Sequence, residues 1–206
     1  MQIFEKSEFA SEIGAALMVT SNGARVLSQL GFSFTAARAV KMNAWDVVHG
    51  ETMEAIAKVD LKSAEERFGA PIWAVHRVDL HNELLRLATK ESGHGQPIQI
   101  HLASQIIDAS IDGSVTLKNG AKRVADLVVA ADGLHSVLKS VVLGQDVTPP
   151  LPTGLSAFRF LIDTEILLED DNLSASLSRK GPGATLLADT KEVEKERHIM
   201  WYACRR

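Results

Sequence analysis

Apolar residues recur along this chain with two periods, and each period predicts its own kind of element. Over 21–30, Val26, Leu27 and Leu30 give a helical stripe that Ser21 or Asn22 can cap and Gly31 can end in the left-handed conformation. Over 79–91, Leu80, Leu84, Leu87 and Ala88 share one helical face, with Asp79 as cap and Gly93 and Gly95 as breakers. Period two marks strands at Gln2–Phe4 and at Ile98, Ile100 and Leu102. Asp46 to Glu51 suggests a hairpin. Val115 and Leu117 alternate between the turn signals Asp112-Gly113 and Asn119-Gly120, which predicts a small β-meander. The unbroken run Leu127-Val128-Val129-Ala130-Ala131 before Asp132-Gly133 predicts a strand buried on both faces, followed by a helix from His135 or Ser136 to Gly144. Beyond the prolines at 149, 150 and 152, Leu155 to Asp163 alternates again, with Phe158, Phe160 and Ile162 on one face. Residues 164–180 read as acidic and polar, 179–183 as a loop and 192–197 as a solvated charged turn; His198 to Cys204 closes with a strand.

Buried strands alternating with helices argue for an α/β fold, and the meander and final strands argue for a second, more antiparallel sheet. Composition narrows the partners. The 206 residues carry a formal charge of −4 and are 46% hydrophobic, with no basic stripe, so nucleic acid is not an expected partner. Cys204 is the single cysteine, which leaves no intrachain disulfide and no zinc cluster and fits a reducing compartment such as the cytoplasm. Asn172-Leu173-Ser174 matches a glycosylation sequon that only a secreted chain would use. No run approaches the ~18 apolar residues of a membrane span, and no signal peptide is expected. The chain instead opens inside a strand, which suggests a segment upstream.

Four segments carry candidate chemistry. In Ile3-Phe4-Glu5-Lys6, Glu5 ends a strand and can accept hydrogen bonds from ribose hydroxyls; otherwise it is surface charge. In Glu12-Ile13-Gly14-Ala15-Ala16-Leu17, small residues permit close backbone approach to a ligand, or simply form a tight loop. In Val75-His76-Arg77-Val78-Asp79-Leu80, Arg77 stands at a helix start where a phosphate can be met, or is a surface charge beside a capping Asp79. In Ala131-Asp132-Gly133-Leu134-His135-Ser136, a carboxylate at the end of a buried strand sits where α/β sheets bind ligands, or caps the next helix. The histidines show no metal-ligand spacing, and no metal site is expected.

The order and spacing of these segments resemble the group A FAD-dependent aromatic monooxygenases, in particular the salicylate-hydroxylase-like branch, from Ile3 to about Arg205. The resemblance implies a partial Rossmann-like FAD-binding domain with parts of a mixed or antiparallel substrate-domain sheet. On this reading 1–39 and 75–148 belong to the FAD-binding domain, and 40–74 and 149–206 to the substrate domain. It implies FAD contacts at Glu5, Gly14, Ala16, Arg77, Asp132 and Gly133, with Ala16 replacing a family glycine and Lys139 a family arginine. Ile106 would act through its backbone, and Ser21 to Ala24 matches the family's following segment. The strand Thr153-Gly154 to Arg159 and the set His198, Tyr202 and Arg205 match the substrate side. Arg159 and Tyr202 would therefore orient an aromatic or phenolic ring, unless they are a solvated arginine and an edge tyrosine. The implied reaction is hydroxylation with NAD(P)H and O2.

The family also carries a Gly-x-Gly-x-x-Gly turn whose helix N-terminus holds the FAD pyrophosphate, and a late Gly-Asp motif. Neither occurs in these residues. The chain is therefore expected to be truncated at both ends, to bind FAD weakly or not at all alone, and to offer a sheet edge that a partner chain could cover. The alternatives are a non-catalytic remnant or interaction module, or a flavin reductase or halogenase of related fold.

Overall fold

The computed structural model describes residues 1–8, 15–91, 95–145, 147–171, 174, 182–191 and 197–205. Gly14, the sequon pair Asn172-Leu173 and most of the 192–197 charge run lie outside these residues, as do Gly93 and 179–181. Among the described residues the architecture is mixed α/β with four small sheets. Contacts divide the chain into two compact units, one of residues 1–12 and 89–158, the other of 13–88 and 159–206. These boundaries differ from the domain limits expected at 39/40, 74/75 and 148/149.

In the first unit, β1 (Gln2–Phe4) pairs in parallel with β7 (Gln99–His101), Ile3 opposite Ile100. The expected meander forms as β8 (Ile106–Ala109), β9 (Ser114–Leu117) and β10 (Lys122–Val124), all antiparallel. Its first turn requires Gly113, which has φ +83 and whose added Cβ would lie 2.0 Å from the Ala125 carbonyl oxygen. The helix expected from 135 or 136 is shorter, α4 (Lys139–Leu143), and ends on left-handed Gly144 as read.

The strand expected over 126–133 is absent. Leu127 and Val129 are exposed, and no described strand runs beside them. An apolar run becomes a buried strand only when neighbours occupy its edges and faces. The strand expected over 155–163 is absent for the same reason: Phe158 and Phe160 are exposed, and the segment leads into a short helix, α5 (Thr164–Leu168).

In the second unit, β2 (Ala16–Val19) and β3 (Val40–Lys41) flank β6 (Trp73–His76) in an antiparallel sheet. The tight loop expected over 12–17 thus gives way to a strand at Ala16. Helix α1 (Ser21–Gln29) follows, with Thr20 rather than Ser21 or Asn22 at the N-cap position and no side-chain capping bond, and the chain turns at Gly31, φ +83, as its sequence predicts. One core lies between these elements: Val19, Ala24, Phe32, Phe34 and Val75 are buried, with Leu80 and Leu87 packed against them. Phe34 stacks on Trp73 at 4.8 Å.

The hairpin of β4 (Ala44–His49) and β5 (Ala55–Asp60) joins β11 (Gly183–Ala188) and β12 (His198–Tyr202) in a four-stranded sheet, order β12-β11-β4-β5. Here β11, not foreseen as a strand, pairs in parallel with β4. A short helix, α2 (Ala64–Phe68), leads toward β6. Met42, between β3 and β4, is fully buried with Ala74 and Ala184, and Tyr202 packs against that cluster.

Candidate functional site

Glu5 follows β1 directly. Its N–H donates to the His101 carbonyl at 2.9 Å and its carbonyl accepts from Ser104 N–H at 2.8 Å, so the backbone continues the parallel ladder. Its Oε1 accepts the Ser7 N–H at 2.7 Å, which folds the chain back over the strand end. A half-buried carboxylate thus stands at the carboxyl end of a parallel strand, where α/β sheets present ligand-binding groups. Beside it the Phe4 and His101 rings stack at 4.8 Å.

Asp132 lies in the same unit. Its Oδ1 accepts the Ser136 hydroxyl at 2.6 Å, and its Oδ2 accepts the N–H groups of Val137 and Leu138 at 2.8 and 3.3 Å. Partial burial pushes the carboxyl up, but the Ser136 hydroxyl and the backbone N–H groups outweigh it and hold it below its usual value. Both oxygens therefore organise the turn that leads into α4. Gly133 adopts φ +79, a backbone angle that favours glycine. His135, Ser136 and Lys139 line an open cleft of about 470 Å³ next to this turn, closed on the other side by Thr148 and Pro149. Ile106 opens β8 and pairs with Leu117.

The remaining candidates lie in the second unit. Ala16 opens β2 opposite His76. Arg77 is the first residue of α3 (Arg77–Thr89), immediately after β6; its N–H donates to the Ala15 carbonyl at 2.9 Å and its side chain is exposed. Tyr202 ends β12, half-buried. Burial pushes its phenol above the usual value, Cys204 adds to the rise, and the charge of Arg159 opposes it. Arg159 therefore stands within electrostatic reach of Tyr202, although it comes from an exposed segment rather than from the expected strand.

Sequence reasoning missed a buried carboxylate held by two arginines. Asp79 does not cap α3 but lies inside its first turn, its side chain only 7% exposed, and it accepts from both Arg38 and Arg205. Glu83, one turn on, is equally buried and accepts the Ser33 N–H and both Nε and Nη2 of Arg86. Carboxylates at i and i+4 beside a leucine stripe are a readable signal for a buried acidic row; nothing local marks Arg38 as the partner of Asp79. Among the described residues, no group of three or more His, Cys, Asp or Glu side chains could hold a metal ion. No helix among them is long and apolar enough to cross a membrane.

These carboxylates set an acid limit on stability. Burial pushes Asp79 up, but Arg205 and Arg38 outweigh it, and Arg86 lowers Glu83; both fall below their ordinary values of 3.8 and 4.5. A depressed folded pKa adds stability that is full above the unfolded value and lost as pH falls through the folded one. The melting temperature is therefore expected to hold between about pH 5 and 7 and to fall below about pH 4. Asp79→Asn should lower the plateau and flatten that acid limb; an unchanged limb counts against the assignment.

No protein-family model matches the chain. It is 31% identical over 212 residues to the FAD-dependent monooxygenase phomE' of Diaporthe leptostromiformis, covering 98% of this chain and 50% of that protein. Hispidin-3-hydroxylase of Neonothopanus nambi is 33% identical over 212 residues, covering 100% and 50%. The chain thus spans half the length of these relatives. Among solved structures, the tetrameric form of 2-methyl-3-hydroxypyridine-5-carboxylic acid oxygenase shares the fold across 99% of this chain and 49% of that one, at TM-score 0.67 and 18% identity. Klebsiella pneumoniae HpxO complexed with FAD and uric acid matches 69% of this chain and 35% of its own at TM-score 0.56 and 25% identity.

Proposed function

The chain belongs to the FAD-dependent aromatic monooxygenases, and on that premise we propose that it carries part of an FAD site and part of an aromatic-substrate site of such an enzyme. The observation that carries the reading is Glu5, a carboxylate at the carboxyl end of a parallel strand, in a chain related over its whole length to FAD-dependent monooxygenases. The residues fit the cofactor to this extent. Glu5 Oε2 makes no hydrogen bond among the described residues and suits a ribose hydroxyl. Arg77 puts an exposed guanidinium at a helix start, suited to a phosphate or the flavin edge. Asp132 acts indirectly, since its oxygens hold the turn whose backbone, with Gly133, would face the cofactor. Gly14 and Ala16 keep the family's small-residue segment.

Bound flavin supplies the redox chemistry, using NAD(P)H and O2; the protein binds, orients and excludes water. On the substrate side, Arg159 and the Tyr202 phenol can hydrogen-bond or pair with a phenolic or acidic ring and fix its orientation. The phenol's raised pKa keeps it protonated, and so a donor, at neutral pH. We assign 1–39 and 75–148, a partial Rossmann-like domain, to FAD and 40–74 and 149–206 to substrate, and place the protein in the cytoplasm. The exposed apolar runs Leu127–Ala130 and Leu155–Ile162 suit strand addition by further polypeptide.

No Gly-x-Gly-x-x-Gly turn is present in the 206 residues, so the backbone donors that would hold a pyrophosphate are lacking. The chain purified alone is expected to carry far less than one FAD per protein and to bind added FAD with Kd no tighter than about 100 μM. Absorbance near the flavin maximum measures this. A stoichiometric yellow protein contradicts the prediction and shows that the residues present suffice.

A further inference from the structure

One buried carboxylate gathers three separate stretches of the second unit. Asp79 Oδ2 accepts Arg205 Nε at 2.7 Å and Oδ1 accepts Arg205 Nη2 at 3.0 Å, a two-pronged guanidinium–carboxylate pair. Arg38 Nη2 reaches the same Oδ1 at 2.5 Å from the loop after α1. Arg205 Nη2 also lies 3.2 Å from Nδ1 of buried His76, the last residue of β6. Burial, then the Arg205 charge, holds that imidazole below its usual value, so Nδ1 can accept. The backbone at Arg38 is left-handed, φ +52, a conformation non-glycine residues adopt at a cost and keep where surrounding contacts hold it.

The far end of this contact is the tail of the last strand. Residues 203–205 have left the sheet, since the β11–β12 ladder ends at Ala184 opposite Tyr202. Cys204 is nevertheless buried. Beyond the ladder, among the described residues, the tail makes a charged side-chain contact through the Arg205 fork on Asp79.

We propose that Asp79 is a positioning residue that locks the tail of β12, with Tyr202 and Cys204, onto the first turn of α3, two residues from Arg77. The proposal rests on the reading of Arg77 and Tyr202 given above: the arginine assigned to cofactor and the phenol assigned to substrate are held in one frame. Asparagine would keep Asp79's shape but lose the charge and one acceptor; lysine at 205 would lose the fork.

Cys204 reports on the lock, because it is the single cysteine and is buried in the tail. Its rate of reaction with a thiol-specific disulfide reagent measures local opening without unfolding. In Asp79→Asn the rate is expected to rise at least about tenfold, with a smaller rise in Arg205→Lys. Arg205→Met separates opening from electrostatics. The Arg205 charge lowers the Cys204 thiol pKa and the Asp79 charge raises it. Loss of Arg205 alone would therefore slow the reaction, and an acceleration in Arg205→Met reports opening. That variant also serves if Asp79→Asn does not fold. Glu83→Gln removes α3's other buried carboxylate, which grips Ser33 and Arg86 and not β12, and should stay within about twofold of the parent. A parental rate in Arg205→Met, or an equal rise in Glu83→Gln, overturns the lock. FAD titration is a separate arm: loss of the flavin reading leaves the labelling result standing, and parental labelling leaves the flavin reading standing.

Discussion

Joined to an amino-terminal strand and Gly-x-Gly-x-x-Gly turn, this chain is expected to bind FAD at least about 100-fold more tightly than it does alone. The added turn would present backbone N–H groups and a helix N-terminus to the pyrophosphate. Each charge-assisted hydrogen bond contributes about 1.5–3 kcal/mol. Two of them give about 3–6 kcal/mol, or roughly 10²- to 10⁴-fold in Kd. The added strand would also find an apolar neighbour ready. Leu127 and Val129 are exposed on a segment that forms no strand, and a parallel pair as short as β1–β7 gains from further strands. Quenching of flavin fluorescence measures the gain. An affinity unchanged by the addition would mean that the first unit does not present Glu5 to the ribose.

Met42→Ala is expected to destabilise the protein by about 2–5 kcal/mol, measured by denaturant unfolding. Met42 is fully buried where the chain passes from β3 to β4, and its N–H donates to the Ile72 carbonyl at 2.8 Å. Its side chain sits in a cluster with Ala74, Ala184, Trp45 and Tyr202, and these small or flat neighbours cannot collapse into the void. The effect reaches the site, because Tyr202 leans on this cluster and loses its backing. Tyr202 is the single tyrosine, so ultraviolet titration of its phenol reports the change directly: its raised pKa should move back toward the ordinary tyrosine value of 10.0. Leu127→Ala, on the exposed run, should change stability by no more than about 0.5 kcal/mol.

Local signals were legible and non-local ones were not. Helices α1 and α3 and the β8–β10 meander follow from periodicity and from turn residues within a few positions, because the interactions that define them are equally local. Glu5 at a strand end was legible for the same reason. Residues 126–133 and 155–163 carry strand patterns and are not strands, since pattern selects a conformation while pairing supplies the hydrogen bonds that keep it. Strand β11 has β12 as a near neighbour in sequence, but its place inside the sheet also depends on β4, which lies far back in the sequence. Asp79 is the clearest case. Its residue type and place suit a helix cap, yet its partners Arg38 and Arg205 stand 41 and 126 positions away, and only the fold brings them in. Asp132, read either as ligand-facing or as a cap for the next helix, is engaged by its own turn five and six residues on.

The most direct test of the account is an FAD titration of the extended protein with Glu5→Ala and with Arg77→Ala beside the parent. Glu5→Ala should weaken binding about 10- to 100-fold through loss of the ribose acceptor, and Arg77→Ala by a comparable factor, with far-ultraviolet circular dichroism unchanged. Equal affinities in all three proteins would contradict the assignment of these residues to the flavin.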